Sequence, residues 1–122
     1  MATVSPDGAP HVVPIVFVAE GDTLCSVVDA KPKTSPRLKR LANIAANPRV
    51  TLLVDHYDED WDELWWVRAD GEARVVEEGP ERRQAIELLR AKYPQYERWS
   101  EPIGAAVVIR VLRWRWWSLT GS

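Results

Sequence analysis

A short basic segment holds the side chains of this sequence best suited to binding an anion. It includes Ser35-Pro36, which is typical of a helix start because serine caps free N–H groups and proline suits the first helical position. A helix N-terminus presents free N–H groups and the positive end of its dipole, so added cations favour an anion site, most plausibly for phosphate. The alternative is a solvated basic helix face, since charge runs are common on protein surfaces. The cationic side chains are Lys31, Lys33, Arg37, Lys39 and Arg40.

Residues for acid–base, nucleophilic or metal chemistry are scarce. His11 lies in a predicted buried strand, where a histidine is more often a satisfied core residue than a base. His56 adjoins an acidic loop that lacks the central glycine of a calcium site, so we expect no metal there. Cys25 is the only cysteine and lies in an apolar run, which indicates a buried thiol. This scarcity favours a bound cofactor that brings its own reactivity.

Composition indicates one globular domain. The chain has 122 residues, of which 46% are hydrophobic and 28% charged, enough to bury a core. The net charge of −2 argues against a general nucleic-acid binder. The apolar runs are too short to span a membrane, and no signal pattern opens the sequence, so we expect a cytoplasmic protein.

Tryptophan is unusually frequent, with seven residues in the chain. Indole rings supply large flat surfaces, which favour interfaces and ring-binding sites. For most of the seven, filling of a core or a dimer contact is the simpler interpretation. Trp65 and Trp66 point to opposite faces of one predicted strand, so one of them is available to cover a ring or a partner subunit. The tryptophans are Trp61, Trp65, Trp66, Trp99, Trp114, Trp116 and Trp117.

The hydrophobic pattern predicts six or seven mostly hairpin-linked strands with inserted helices, which indicates a small antiparallel barrel. Asp70-Gly71 is a strong turn pair and predicts a hairpin between two short strands. Residues 10–19 are apolar on both faces, as expected of one strand buried inside a barrel. Helices are predicted from Ser35 to Asn47, with Leu38, Leu41 and Ile44 facing inward, from Pro80 to about Lys92, and over 96–99. The strands are predicted at 2–5, 10–19, 23–29, 49–55, 64–69, 72–77 and about 105–117.

Several of these segments resemble a known family. The opening pattern Ala2-Thr3-Val4, Asp7-Gly8 and Pro10-His11 and the basic segment through Val50 resemble the split β-barrel flavin and deazaflavin proteins related to pyridoxamine phosphate oxidase. Residues 54–57 and 65–71 are similar to the branch of F420-dependent enzymes found in actinobacteria. The resemblance covers nearly the whole chain, although each motif is short.

The resemblance implies a mainly β fold with short helices, an FMN-binding split barrel, and a homodimer with two cofactor sites at the subunit interface. Trp66 and Arg68 match positions that reach the cofactor from the other subunit. Members usually carry a helix before the first strand; here the sequence starts at Met1, so that helix is expected to be absent or truncated. By resemblance, the residues that hold the cofactor phosphate are Lys31, Arg37, Lys39, Arg40 and Asn43.

Coenzyme F420 and FMN both fit a phosphate site and a flat ring pocket. F420 adds a tail with several carboxylates, and Lys31 and Lys33 exceed what one phosphate requires, so F420 is the leading cofactor. The resulting hypothesis is an F420-dependent reductase that transfers a hydride between the deazaflavin and an unknown small organic substrate. The ring is expected against the strand edge near residues 27–30, beneath a tryptophan. The alternatives are an FMN-dependent oxidase or reductase and a non-catalytic protein that binds F420 or a tetrapyrrole-like ligand.

Overall fold

A computed structural model describes residues 1–29, 37–98 and 103–121 of the chain. In these parts the strands form one antiparallel sheet in the order β2-β1-β5-β6-β7-β4-β3. The prediction of a mainly β fold with hairpin-linked strands is therefore confirmed. The strands are β1 (Ala2–Val4), β2 (Pro10–Val12), β3 (Val18–Glu20), β4 (Thr23–Asp29), β5 (Arg49–His56), β6 (Trp65–Val76) and β7 (Ile103–Ser118).

The predicted hairpin at Asp70-Gly71, in the centre of the sheet, was wrong. Both residues lie inside the continuous twelve-residue strand β6, which pairs with β5 on one side and β7 on the other. A Cβ built on Gly71 would lie 2.3 Å from the carbonyl oxygen of Arg110, so this glycine allows a close backbone approach instead of a turn. The register with β7 shifts here by one residue, which leaves Leu112 as the bulged residue.

The predicted strand over residues 10–19 was also wrong. It is divided into β2 and β3, which lie at opposite edges of the sheet. Pro14 lies between them, and because proline cannot donate to a ladder it favours the break. The run is not buried on both faces, since Val12 is 73% exposed and Val16 is 41% exposed. Residues 13–17 instead connect the two edges of the sheet.

Two α-helices lie in the described residues, α1 (Arg37–Ala46) and α2 (Pro80–Lys92). Helix α1 ends before Pro48 as predicted, and the Asn47 N–H closes its last turn by donating to the Asn43 carbonyl at 2.8 Å. Short 3-10 helices follow at Trp61–Glu63 and Pro94–Arg98. None of the described helices is long and apolar enough to cross a bilayer.

Each helix packs on its own group of buried residues. Ile44 of α1 joins a cluster with Leu52 of β5 and Ile109 of β7. Leu89 of α2 joins a second cluster with Val108 of β7. Successive strand residues point to opposite faces, so neighbouring residues of β7 serve the two clusters. The two cores therefore hold the helices on either side of the central strands.

Candidate cofactor site

A cavity of about 470 Å³ lies between the edge-connecting segment, strand β4, helix α1 and the end of α2. Its size falls within the range of small-molecule and cofactor sites. Most of its surface is apolar, with a few polar groups and one cationic side chain among the described lining residues. The cavity is lined by Pro14, Ile15, Val16, Ser26, Val27, Val28, Arg40, Tyr93, Gln95 and Tyr96.

Arg40 brings positive charge to this apolar cavity. The residue is only 7% exposed, although its neighbour Lys39 is exposed. The difference follows from helix geometry, because Arg40 precedes the buried Ile44 by four residues and therefore shares its face. In a low-dielectric site a guanidinium forms strong charge-assisted hydrogen bonds with carboxylates and phosphates. An anionic group that enters the cavity would thus meet a preplaced cation.

The wall formed by residues 14–17 is held by polar contacts from two directions. The Phe17 carbonyl accepts from the Tyr93 hydroxyl at 3.1 Å and from Lys92 Nζ at 2.6 Å. Lys92 Nζ also lies 4.3 Å from the centre of the Phe17 ring. From the sheet, the Ser26 hydroxyl donates to the Val16 carbonyl at 2.7 Å. These bonds fix the wall before a ligand binds, which lowers the entropic cost of binding.

The other predicted phosphate ligands are distributed differently. Asn43 is 3% exposed, and its side-chain amide donates to the Thr3 hydroxyl at 3.1 Å, which ties α1 to β1. Lys39 points to solvent, and Arg37 opens α1, but its side chain lies outside the described residues. Lys31, Lys33 and the predicted cap Ser35-Pro36 also lie outside them. The cofactor roles of these residues remain predictions.

Trp66 and Arg68 lie away from the cavity, on one face of strands β5, β6 and β7. We call this the open sheet face, and its members follow from the strand register and the alternation of side chains. Arg68 lies with its guanidinium carbon 6.0 Å from the centre of the Trp66 ring. The predicted contact of both residues with a cofactor in another subunit stays a prediction. Across the three strands the rows are Thr51–Asp70–Arg113, Leu53–Arg68–Arg115 and Asp55–Trp66–Trp117.

Sequence reasoning missed the cavity residues from Tyr93 to Tyr96 and Ser26. The sequence places Pro94 after α2, which marks the helix end but gives no sign that the following turn covers a cavity. Tyr93 and Tyr96 meet edge to face with ring centres 6.3 Å apart. A spacing of three residues between tyrosines in a short helical turn is the one available signal that their rings adjoin.

The structure places Cys25 and His56, which the sequence analysis considers for nucleophilic or metal chemistry, among ordinary packing contacts. Cys25 is buried as predicted, and burial raises the pKa of its thiol, with smaller contributions from the charges of Glu81 and Glu20. His56 stacks on the Trp65 ring at 6.1 Å between ring centres, and its Nε2 lies 3.8 Å from Asp58. Within the described ranges, no group of three or more His, Cys, Asp or Glu residues is placed to hold a metal ion.

Solved structures of several differently named proteins share this fold. A conserved hypothetical protein from Mycobacterium tuberculosis is 24% identical, with a TM-score of 0.73 over 96% of this chain and 74% of that one. A protein named F420 reductase is 24% identical, with a TM-score of 0.66 over 93% of this chain and 85% of that one. The heme storage protein HutZ from Vibrio cholerae is 15% identical, with a TM-score of 0.70 over 96% of this chain and 82% of that one. At these identities the likeness establishes the fold.

Sequence comparison gives the family. No curated protein matches the chain. The family model for pyridoxamine 5'-phosphate oxidase matches residues 1–118, which is nearly the full length and includes both the cavity and the open sheet face. The chain therefore belongs to the pyridoxamine 5'-phosphate oxidase family.

Proposed function

We propose that this protein is an F420-dependent reductase that transfers a hydride between the deazaflavin and a small organic substrate. The observation that carries the proposal is the buried guanidinium of Arg40 in an apolar cavity of about 470 Å³. An apolar cavity that holds a buried cation suits a ligand that combines a flat ring with an anionic group. When bound, the deazaflavin supplies two-electron hydride chemistry, so the chain needs no acid–base pair of its own.

The lining residues have separate roles in this proposal. Arg40 binds the anionic part of the cofactor, with Lys31, Arg37, Lys39 and Asn43 as the further ligands that the family resemblance implies. Lys33 is added as a ligand for the carboxylates of the F420 tail. Val27 and Val28 at the end of β4 line the cavity and would contact the ring. Tyr93 and Tyr96 line the cavity from the α2 side, where they would shield a bound ring from water.

A homodimer with a cofactor site at each side of the interface is part of the proposal. In that arrangement Trp66 and Arg68 of one subunit reach the cofactor of the other, as the family resemblance implies. Both residues lie on a sheet face with exposed apolar members, including Leu53 at 60% exposure and Trp117 at 42%. A cytoplasmic protein with small-molecule substrates, and without membrane or nucleic-acid partners, fits this assignment.

The choice of F420 over FMN depends on charge and on one structural neighbour. Lys31 and Lys33 suit the additional carboxylates of the F420 tail, and a neighbour at 24% identity is named F420 reductase. FMN with oxidase or reductase chemistry is the second candidate. A non-catalytic role in binding F420 or a tetrapyrrole is the third, favoured by the likeness to a heme storage protein.

Titration with F420 and with FMN, in which binding is detected by quenching of the tryptophan fluorescence, tests the proposal. We expect Arg40→Gln to weaken F420 binding at least tenfold, because a charge-assisted hydrogen bond contributes about 1.5–3 kcal/mol. Arg40→Lys should recover part of the affinity, since it restores the charge without the guanidinium fork.

The matched control is Arg90→Gln, which removes an exposed arginine from α2. It should bind F420 as the unchanged protein does. Circular dichroism of each variant separates lost affinity from lost fold. Equal affinity of Arg40→Gln and the unchanged protein would remove the anion site from the cavity. Absence of quenching by both F420 and FMN would overturn the proposed cofactor chemistry.

A further inference from the structure

The open sheet face carries an uneven distribution of charge. Arg68 of β6 lies directly opposite Arg115 of β7, and Arg113 lies one row away, opposite Asp70. Like charges directly opposite each other on a sheet destabilise it. In the described part of the chain, neither Arg113 nor Arg115 forms an ion pair with a carboxylate. The three arginines of the face outnumber its two carboxylates, Asp55 and Asp70, so the face keeps an excess of one positive charge.

Asp70 orients one of these arginines. Its Oδ1 accepts a hydrogen bond from the Thr51 hydroxyl at 2.8 Å, which fixes the carboxylate from the neighbouring strand. Its Oδ2 lies 3.5 Å from the buried Nε atom of Arg68. The carboxylate thus lies at the Nε side of Arg68, while the guanidinium carbon of Arg68 lies 6.0 Å from the centre of the Trp66 ring.

An aromatic pair adjoins the arginine pair. Trp66 and Trp117 are directly opposite each other across β6 and β7, on the same face and two residues from Arg68 and Arg115 along each strand. Trp66 is half-buried and Trp117 is 42% exposed, so the pair presents indole surface to solvent. A planar ring can pack on that surface while an attached anion reaches the guanidinium groups.

We propose that the open sheet face is a binding site for a small molecule in which a carboxylate is attached to a planar aromatic group. Arg68 and Arg115 bind the carboxylate, Trp66 and Trp117 bind the ring, and Asp70 is a positioning residue for Arg68. The inference rests on the proposed function, for which it names a substrate class: the family resemblance places Trp66 and Arg68 beside the cofactor of the other subunit, and a substrate held by them would lie next to that cofactor. The same carboxylate chemistry also fits the tail of F420, and the experiment distinguishes the two sources.

Calorimetric titration of the full chain with 2-naphthoate and with its neutral analogue 2-naphthylmethanol tests this site. We expect the unchanged protein to bind naphthoate at least tenfold more tightly than the alcohol, and Arg115→Gln to abolish that preference. The matched control is Arg110→Gln on the same strand, where the arginine already has Glu72 at 3.7 Å; its preference should persist. Asp70→Asn should weaken naphthoate binding less than Arg115→Gln does, because it misplaces one arginine without removing it.

The denaturation midpoint without ligand gives a second readout. Arg115→Gln removes a like-charge contact, so its midpoint should equal or exceed that of the unchanged protein, a result that a purely structural role for Arg115 would not give. Titration with γ-linked triglutamate is the third arm: binding that is lost in Arg115→Gln assigns the site to the cofactor tail, and naphthoate binding alone assigns it to substrate.

The proposal is overturned if the unchanged protein does not bind naphthoate, including the case in which triglutamate alone binds, or if Arg115→Gln binds naphthoate as the unchanged protein does. These probes contain no flavin ring. Failure of F420 and FMN to bind would therefore contradict the proposed cofactor chemistry without altering this measurement. If naphthoate and triglutamate do not bind, the F420 affinities measured for the Arg40 variants are unaffected.

Discussion

Arg40 is buried while its neighbour Lys39 is exposed, so one step along a helix places two basic side chains in different environments. Successive helical residues are about 100° apart, so adjacent cations cannot both face the cavity. The sequence did contain the signal for this division, because Arg40 lies four residues before Ile44, which was predicted to face inward. Charge alone gives no such information, because it marks the whole basic segment as one set of phosphate ligands.

Cys25 permits a prediction about stability at alkaline pH. Burial raises the pKa of its thiol above the ordinary value of 9.0, so the folded chain holds this proton more tightly than the unfolded chain does. The resulting stability is fully present below pH 9.0 and is lost as the pH rises through the raised pKa. Cys25→Ala should therefore lose less unfolding free energy between about pH 8 and about pH 10 than the unchanged protein.

Urea denaturation at several pH values measures this slope. Cys25→Ala also removes packing from the core, which lowers the unfolding free energy at every pH, so the comparison is made between slopes. Identical slopes in the two proteins would contradict the assignment of the alkaline loss to this thiol.

At the scale of elements, Gly71 shows why a strong local signal predicted the wrong structure. Asp-Gly is a good hairpin turn in isolation, and nothing within a few residues of Asp70-Gly71 opposes it. The structure depends instead on a distant residue, Arg110, whose carbonyl oxygen occupies the space where a side chain at position 71 would lie. Strand pairing between residues far apart in sequence decided the outcome. The predicted C-terminal end of α1 and the predicted start of α2, by contrast, depend on local proline chemistry, and they were confirmed at Pro48 and Pro80.

Gly71→Ala should destabilise the central strands severely. The added Cβ would lie 2.3 Å from a backbone oxygen that cannot rotate away, so either β6 or β7 must shift. We expect a loss of about 3 kcal/mol in unfolding free energy, at the upper end of the usual cost of overpacking. Urea denaturation measures it.

Gly21→Ala is the matched control for this change. A Cβ there meets nothing within 4 Å, and only the positive φ of 60° opposes it. Its cost should be about 1 kcal/mol, from backbone strain alone. Equal losses of unfolding free energy in Gly21→Ala and Gly71→Ala would show that the close backbone approach at Gly71 does not contribute to the loss.

At the scale of the whole molecule, the predicted number of strands agrees with the structure because two errors of opposite kind cancel. One predicted strand, residues 10–19, became β2 and β3, while two predicted strands merged into β6. The family and the mainly β fold were predictable, because they depend on patterns spread over the whole chain. The cavity was not, since segments around Pro14, Val27, Arg40 and Tyr93 adjoin only after the sheet forms. Side chains that line such a cavity share no spacing that sequence periodicity could reveal.

The stability of the whole chain gives a test that compares the candidate ligands directly. A ligand that binds only the folded state, at a free concentration one hundred times its Kd, stabilises that state by about 2.7 kcal/mol. For a domain of this size such a gain raises the Tm by roughly 10 °C. We expect that shift with F420, a smaller one with FMN and none with hemin, as measured by calorimetry at matched ligand concentrations. With Arg40→Gln, the F420 shift should fall by several degrees, because the site loses its buried cation. A full shift with hemin and none with either flavin would instead assign the protein to tetrapyrrole binding.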